Sequence, residues 1–207
     1  MKTAGKLFFV LCFLLFTFDG VYSQEESREN ILWKMALLKK SGSVSREAES
    51  VPFRQSITML KRDTYQLYLA FGGHGSCYVI QENDEGKLPL VFKKSVLPGD
   101  RLILPGEGRG FKAVELPGTT RLYVIVSARP RPNLERLMEQ HGPDPYGTSL
   151  ERSLLSEVLA IRRSLPSPSD LPVTPVPPTE TDPAMKGQLW LFEGRDSWVV
   201  TITVRVQ

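Results

Sequence analysis

The sequence predicts a mainly β protein, an antiparallel β-sandwich-like domain with a helical and proline-rich insertion before its C-terminal strands. From residue 53 onwards, short segments alternate apolar and polar residues, which is the period of a strand. Turn sequences separate these segments, and three copies of Leu-Pro-Gly suit type II turns. Short strands joined in this way are typical of antiparallel sheets.

The N-terminus has the pattern of a secretory signal peptide. Lys2 and Lys6 precede the segment 7–18, which is apolar at every position but one, and the small residue Ser23 suits signal peptidase. Such a segment spans about 18 Å as a helix, against about 30 Å for a hydrocarbon core. We expect residues 1–23 to be removed on Sec export, leaving a periplasmic or secreted chain without a transmembrane segment.

The next segment, residues 24–52, is predicted to be an N-terminal helix followed by a linker. The helix is expected at 28–40, because Ile31, Met35 and Leu38 would form one apolar stripe. The residues that follow are rich in Ser, Gly and Glu, which indicates a linker.

The β-rich domain is predicted to cover residues 53–207. Large apolar residues recur with period two over 65–71, and this spacing indicates a strand. Further strands are predicted at 77–81, 88–92, 101–104, 111–116 and 121–128.

An insertion at 132–185 is predicted to follow these strands. Two helices are expected within it, at 133–140 and 149–164, and the second carries a clear apolar stripe. Residues 165–184 contain seven Pro, so they are predicted to be an extended loop.

Strand character returns at 188–193 and 197–206. In the second of these segments, one face is predicted to carry only apolar residues, namely Trp198, Val200, Ile202, Val204 and Val206. A shift of register by one residue would expose the whole set, so the place of this strand in the sheet is well specified.

An ordered series of strands and turns runs from Ser56 to Arg131. It includes CYVI at 77–80 and GTTRLYVIVSARP at 118–130, the most specific part. This series resembles the bacterial family described as domain of unknown function 4384, with Ser197 to Val206 as a closing strand. The sequence departs from the family at Lys93, where a Pro is usual after Phe. The resemblance implies a β-rich, non-catalytic accessory domain, found in secreted or envelope-associated bacterial proteins or appended to kinases and peptidases, and it brings no catalytic residues.

Composition argues against several classes of function. A net charge of +3 over 207 residues is too small to indicate a nucleic-acid binder. Once the leader is removed, one Cys and two His remain, fewer than the four ligands of a Cys/His structural zinc site, and we expect neither a metal nor a cofactor. Without the leader only Cys77 remains, which excludes an intramolecular disulfide, and its apolar neighbours favour burial of the thiol.

The glycine-rich segment GGHGSC at 72–77 is the strongest candidate for catalysis. Backbone N–H donors beside a histidine and a cysteine are the components of a Cys/His hydrolase. The chain has no G-x-S-x-G nucleophile elbow, and no third group that would orient His74 can be identified. A hairpin turn is therefore the favoured interpretation, and a small envelope hydrolase using Cys77 and His74 is the alternative function.

Two features suggest binding instead. The segment VTPVPP could present a polyproline II ligand, and a spacer is the alternative interpretation. The predicted partner-binding residues in it are Val173, Pro175, Pro177 and Pro178. Basic residues in the insertion would attract an acidic partner or surface, although a solvated face is the more common outcome. These residues are Arg129, Arg131, Arg136, Arg152, Arg162 and Arg163.

These observations favour an exported, non-catalytic binding or scaffold module of the bacterial cell envelope. Its expected partner is another envelope protein.

Export gives a direct prediction. Protein purified from the envelope or the medium should begin at Gln24, because the signal peptide pattern ends at Ser23. N-terminal sequencing checks this. Recovery of a membrane-embedded form that retains residues 1–23 would contradict it.

Overall fold

A computed structural model describes residues 30–41, 49–51, 57–106, 109–112, 118–141, 148–165, 173–177 and 189–207. In chain order the elements are β1 (Asn30–Lys40), β2 (Glu49–Val51), β3 (Ile57–Met59), β4 (Thr64–Phe71), β5 (Gly75–Glu82), β6 (Leu90–Val96), β7 (Arg101–Leu104), β8 (Phe111–Lys112), β9 (Gly118–Ser127), α1 (Pro132–Gln140), α2 (Thr148–Ser164), β10 (Val173–Val176), β11 (Leu189–Arg195) and β12 (Ser197–Val206). The predicted signal peptide at 1–23 lies outside the described residues.

The strands form two sheets that share one apolar core, so the predicted mainly β, sandwich-like fold is confirmed. The first sheet has the order β10-β11-β1-β4-β7, with β2 beside β1 and β8 beside β4. The second sheet has the order β3-β12-β9-β5-β6. Among the strands that the structure describes, all pairs are antiparallel except β3 and β12, which run parallel.

The predicted N-terminal helix is wrong, because this segment is the strand β1 at the centre of the first sheet. It pairs with β11 on one side and with β4 on the other. Trp33 and Met35 enter the core between the sheets, and Ala36 and Leu38 are buried on the opposite face. A strand buried on both faces is apolar nearly throughout, and its spacing can imitate a helical stripe. The β-rich domain therefore includes residues 30–40, ahead of the predicted boundary at 53.

The final strand is the element that the sequence predicts best. β12 has the bounds predicted for it, and its five alternate apolar residues all lie in the core between the sheets. Val199 lies on the opposite face, in the cluster that β12 shares with the helices. Ten residue pairs join β12 to β9, from Ser197 with Ser127 to Val206 with Gly118.

Most of the other strand predictions are confirmed, with one displacement. The segment predicted as a strand at 88–92 begins its ladder at Leu90. Leu88 donates its backbone N–H to Glu151 Oε1 at 3.2 Å, and Pro89 has no N–H to donate. Both residues are thus lost to the ladder. Of the predicted strand at 111–116, only β8 lies within the described residues.

The two helices of the insertion form a layer on the outer face of the second sheet, as their apolar stripes require. Leu134 of α1 and Leu154, Val158 and Ile161 of α2 are buried against that face. The sheet contributes Tyr78, Ile80, Tyr123, Ile125 and Val199. The second sheet is therefore covered on both sides, by the first sheet and by the helices.

The proline-rich segment is not an extended loop throughout. Residues 173–176 form β10, which pairs with β11 at the edge of the first sheet. An edge position tolerates Pro175, which cannot donate a ladder hydrogen bond. Val176 packs beside the buried Leu189, so this part of the insertion contributes to the sandwich.

Aromatic packing at the core leaves no room for a side chain at Gly194. Trp33 stacks on Phe192 with ring centroids 4.3 Å apart, and Trp198 meets Phe192 edge-on at 5.5 Å. A Cβ atom at Gly194 would overlap the indole of Trp198, which is 2% exposed and cannot move aside.

Gly194→Ala should lower the free energy of unfolding by about 1–3 kcal/mol through overpacking. Gly72→Ala is the matched control, because the three atoms nearest its Cβ would all belong to the Leu32 side chain, which is 39% exposed and free to move. Urea unfolding of the two variants compares them. Equal losses would show that Trp198 is not tightly held.

Candidate functional site

A cleft lies where β9 leads into α1 and where β11 turns into β12. Its volume is about 450 Å³. We call it the arginine–serine cleft, and its lining residues are Ser127, Arg129, Pro130, Arg131, Pro132, Asp196 and Ser197. The sequence brings these residues together through two short segments that the β9–β12 ladder holds side by side.

The turn between β11 and β12 forms one wall of the cleft. Asp196 is the single residue between the two strands, and its φ of 62° is left-handed, a conformation that Asp tolerates better than most residues. Its backbone carbonyl accepts the N–H of Ala128 at 2.8 Å. This bond ties the turn to the end of β9.

A pair of buried serines forms the floor of the cleft. Ser127 and Ser197 face each other in the ladder, and their hydroxyl oxygens are 2.7 Å apart. The two residues are 1% and 4% exposed. Ser197 Oγ donates to the carbonyl of Asp196 at 2.7 Å, so both hydroxyls are held within one local network.

Arg131 lies across the serine pair. Its Nε donates to Ser127 Oγ at 3.3 Å, and its Nη2 donates to Ser197 Oγ. Two of its five N–H bonds are therefore used in fixing the guanidinium, and three remain. In the described part of the chain, Arg131 makes no ion pair with a carboxylate.

The backbone of Arg131 is held from beneath by Tyr78 of β5. Its N–H donates to the Tyr78 hydroxyl at 3.0 Å, and that hydroxyl donates to Glu135 Oε1 at 2.7 Å. Lys93 of β6 binds Glu135 and Glu139, each at 3.1 Å. The start of α1 is thereby anchored to the second sheet, with Pro132 in the first turn, where its missing N–H costs nothing.

These contacts shift the pKa values of Glu135 and Tyr78. The hydrogen bond from Tyr78, reinforced by Lys93, holds the pKa of Glu135 below its usual value of 4.5 against the opposing effect of burial. Burial, followed by the bond to Glu135, raises the pKa of Tyr78. Glu135 is thus a carboxylate and Tyr78 a neutral donor at neutral pH.

The residues of the predicted hydrolase site lie in different surroundings. Cys77 is fully buried in the core between the sheets, and burial raises the pKa of its thiol to about 12. His74 is exposed in the turn that precedes β5. The thiol is held protonated, away from the surface that the histidine faces.

The predicted partner-binding residues lie at the other end of the insertion. Val173 and Pro175 belong to β10, Pro175 and Pro177 are exposed, and Pro178 lies outside the described residues. Because β10 is paired with β11, its backbone is already committed to the sheet. Partner binding by this segment stays a prediction.

Sequence reasoning singled out Arg129 and Arg131 among the basic residues but missed Ser127, Asp196 and Ser197. A serine at the end of a strand is too common to attract notice. The available signal was the short interval between the strands predicted at 188–193 and 197–206, which places the start of β12 next to the end of β11.

Comparison with protein-family models, with curated proteins and with solved structures finds no match to this chain. The resemblance of Ser56 to Arg131 to the family described as domain of unknown function 4384 stays a prediction. Within the described ranges, no helix is long and apolar enough to cross a bilayer, and no three His, Cys, Asp or Glu side chains are grouped as metal ligands.

The ionisation of Glu135 gives a pH prediction. Its pKa is lower in the folded chain, so the stability it contributes is present above its unfolded value and is lost as pH falls through the folded value. Between pH 6 and pH 3, Glu135→Gln should lose less free energy of unfolding than the parent, by about 1 kcal/mol or less. Unfolding measured from pH 6 to pH 3 checks this.

Glu139→Gln is the control, because Glu139 contacts Lys93 but not Tyr78 and is 69% exposed. It should keep the acid decline of the parent. An unchanged decline in Glu135→Gln would show that the bond from Tyr78 contributes nothing to stability.

Proposed function

We propose that this chain is an exported, non-catalytic binding or scaffold module of the bacterial cell envelope, and that it binds its ligand in the arginine–serine cleft. Export is supported by the signal peptide pattern at 1–23. Binding is supported by the cleft, which lies at the end of a sheet covered on both faces. Such an end is where a rigid scaffold leaves polar groups accessible.

One observation carries the non-catalytic part of the proposal. A serine nucleophile needs a neighbouring base that accepts its proton. Here Arg131 donates to both hydroxyls, and the proton of Ser197 goes to the Asp196 carbonyl, which is not a base. The serine pair therefore holds Arg131 in place and is not activated for attack.

The rigidity of the cleft favours binding. Arg131 is fixed by its backbone to Tyr78 and by its guanidinium to two buried hydroxyls. A side chain already held in position loses little conformational entropy when a ligand arrives. The cleft is in this sense organised before binding.

The alternative function, a small envelope hydrolase using Cys77 and His74, has no observation in its favour. The reactive form of cysteine is the thiolate, and active cysteines have a depressed pKa and access to solvent. Burial of Cys77 raises the pKa of its thiol and removes the thiol from solvent. The expected partner remains an envelope protein, for which Val173, Pro175, Pro177 and Pro178 are the predicted contact residues.

A thiol-labelling experiment tests the non-catalytic part. In the folded, mature chain, Cys77 should react with a chromogenic disulfide at least about 100-fold more slowly than after denaturation, because the strand must open first. A Cys77→Ala, Ser95→Cys variant provides the control, since Ser95 is exposed on the neighbouring strand β6. It should react at the rate of an exposed thiol. Fast labelling of native Cys77 would overturn the proposal and favour the hydrolase.

A further inference from the structure

We propose that the arginine–serine cleft is a binding site for a hydroxylated carboxylate of monosaccharide size, such as a sugar acid. The carboxylate would bind Arg131, and neighbouring hydroxyl groups would donate to Asp196. This inference rests on the proposed function and adds the chemical class of the ligand.

Arg131 still has N–H groups that can donate hydrogen bonds to a ligand. Two N–H bonds fix the guanidinium on the serine pair, and three are left to donate. Its charge has no carboxylate partner among the residues that the structure describes. A planar guanidinium matches the two oxygens of a carboxylate in a bidentate contact.

Asp196 forms the wall of the cleft opposite Arg131. Asp196 is exposed, lines the same cleft and makes no ion pair with a described residue. An ionised carboxylate only accepts hydrogen bonds, so it pairs with a donor such as a hydroxyl group. A ligand that satisfies both walls carries an anionic group and hydroxyl groups together.

The charge of the lining and the volume of the cleft restrict the ligand further. Arg131 brings one positive charge and Asp196 one negative charge, and neither forms an ion pair with a described residue. A monoanion bound to Arg131 places a single negative charge beside Asp196, whereas a dianionic phosphate would double that repulsion. A cleft of about 450 Å³ accommodates a single sugar ring with water around it.

The test uses three hexoses that differ in their charged group: D-glucuronate, D-glucose 6-phosphate and D-glucose. Each is titrated into the isotope-labelled mature chain while backbone amide resonances are recorded. D-glucuronate should shift the amides of Ala128, Arg131 and Ser197 along saturable curves. D-glucose 6-phosphate should bind more weakly, and D-glucose should leave these amides unchanged.

Arg131→Gln should weaken D-glucuronate binding by about tenfold or more, because it removes a charge-assisted bidentate contact. Arg136→Gln is the matched control, since Arg136 is exposed on α1 outside the lining of the cleft. It loses the same charge and should bind as the parent does. A thermal melt of each variant shows that it is folded.

Asp196→Asn keeps the proposal testable if Arg131→Gln fails to fold. Asn tolerates the left-handed turn, so the backbone is preserved while the negative charge is removed. This change should reverse the preference, so that D-glucose 6-phosphate binds at least as tightly as D-glucuronate. An unchanged preference would show that Asp196 does not contact the ligand.

Absence of saturable shifts with D-glucuronate overturns the inference, and so does equal binding by the Arg131→Gln and Arg136→Gln variants. A stronger response to D-glucose 6-phosphate in the parent would replace the carboxylate with a phosphate and overturn the assigned class. These failures leave the proposed module standing as long as Cys77 labels slowly. Fast labelling of Cys77 removes the proposed function whatever the titrations show.

Discussion

Most of this structure depends on one pairing, the antiparallel ladder between β9 and β12. Ten residue pairs give it a single register. Because successive side chains of a strand point to opposite faces, this register decides which apolar residues enter the core and which meet the helices. A slip by one residue would exchange the two sets, so that the side chains that fill the core would face the helices instead. The ladder ends at Ser127 and Ser197, so the same register also sets the position of the cleft.

The polar groups at the end of the ladder are buried at a cost that their mutual hydrogen bonds offset. A buried hydroxyl without a partner would cost about 1–3 kcal/mol. Ser127 and Ser197 avoid this through their contact with each other, with the Asp196 carbonyl and with Arg131. The arrangement makes each group dependent on the others, which restricts Arg131 to one position over the floor of the cleft.

The sequence was sufficient for those parts of the fold that show a single period. β12 alternates at every position but Val199, and α2 has a stripe that only a helix explains, so both were predicted with nearly correct bounds. The prediction of β1 as a helix was wrong because this strand is buried on both faces. Trp33 and Met35 are buried on one face, and Ala36 and Leu38 on the other. Burial on both faces removes the alternation that identifies a strand. The prediction of a loop in place of β10 was wrong for a different reason, since a strand at a sheet edge tolerates Pro175 where an interior strand would not.

The cleft was harder to predict than the fold, because it is formed by residues 66 and 70 positions apart in the chain that meet only through strand pairing. No local motif marks Ser127 or Ser197, and Arg131 resembled any other basic residue of the insertion. When a sheet is covered on both faces, polar side chains reach solvent where the chain leaves the sheet. Four residues join the end of β9 to the start of α1, and Tyr78 holds the backbone of the last of them, Arg131. The element that completes the apolar layer therefore also delivers the arginine to the cleft.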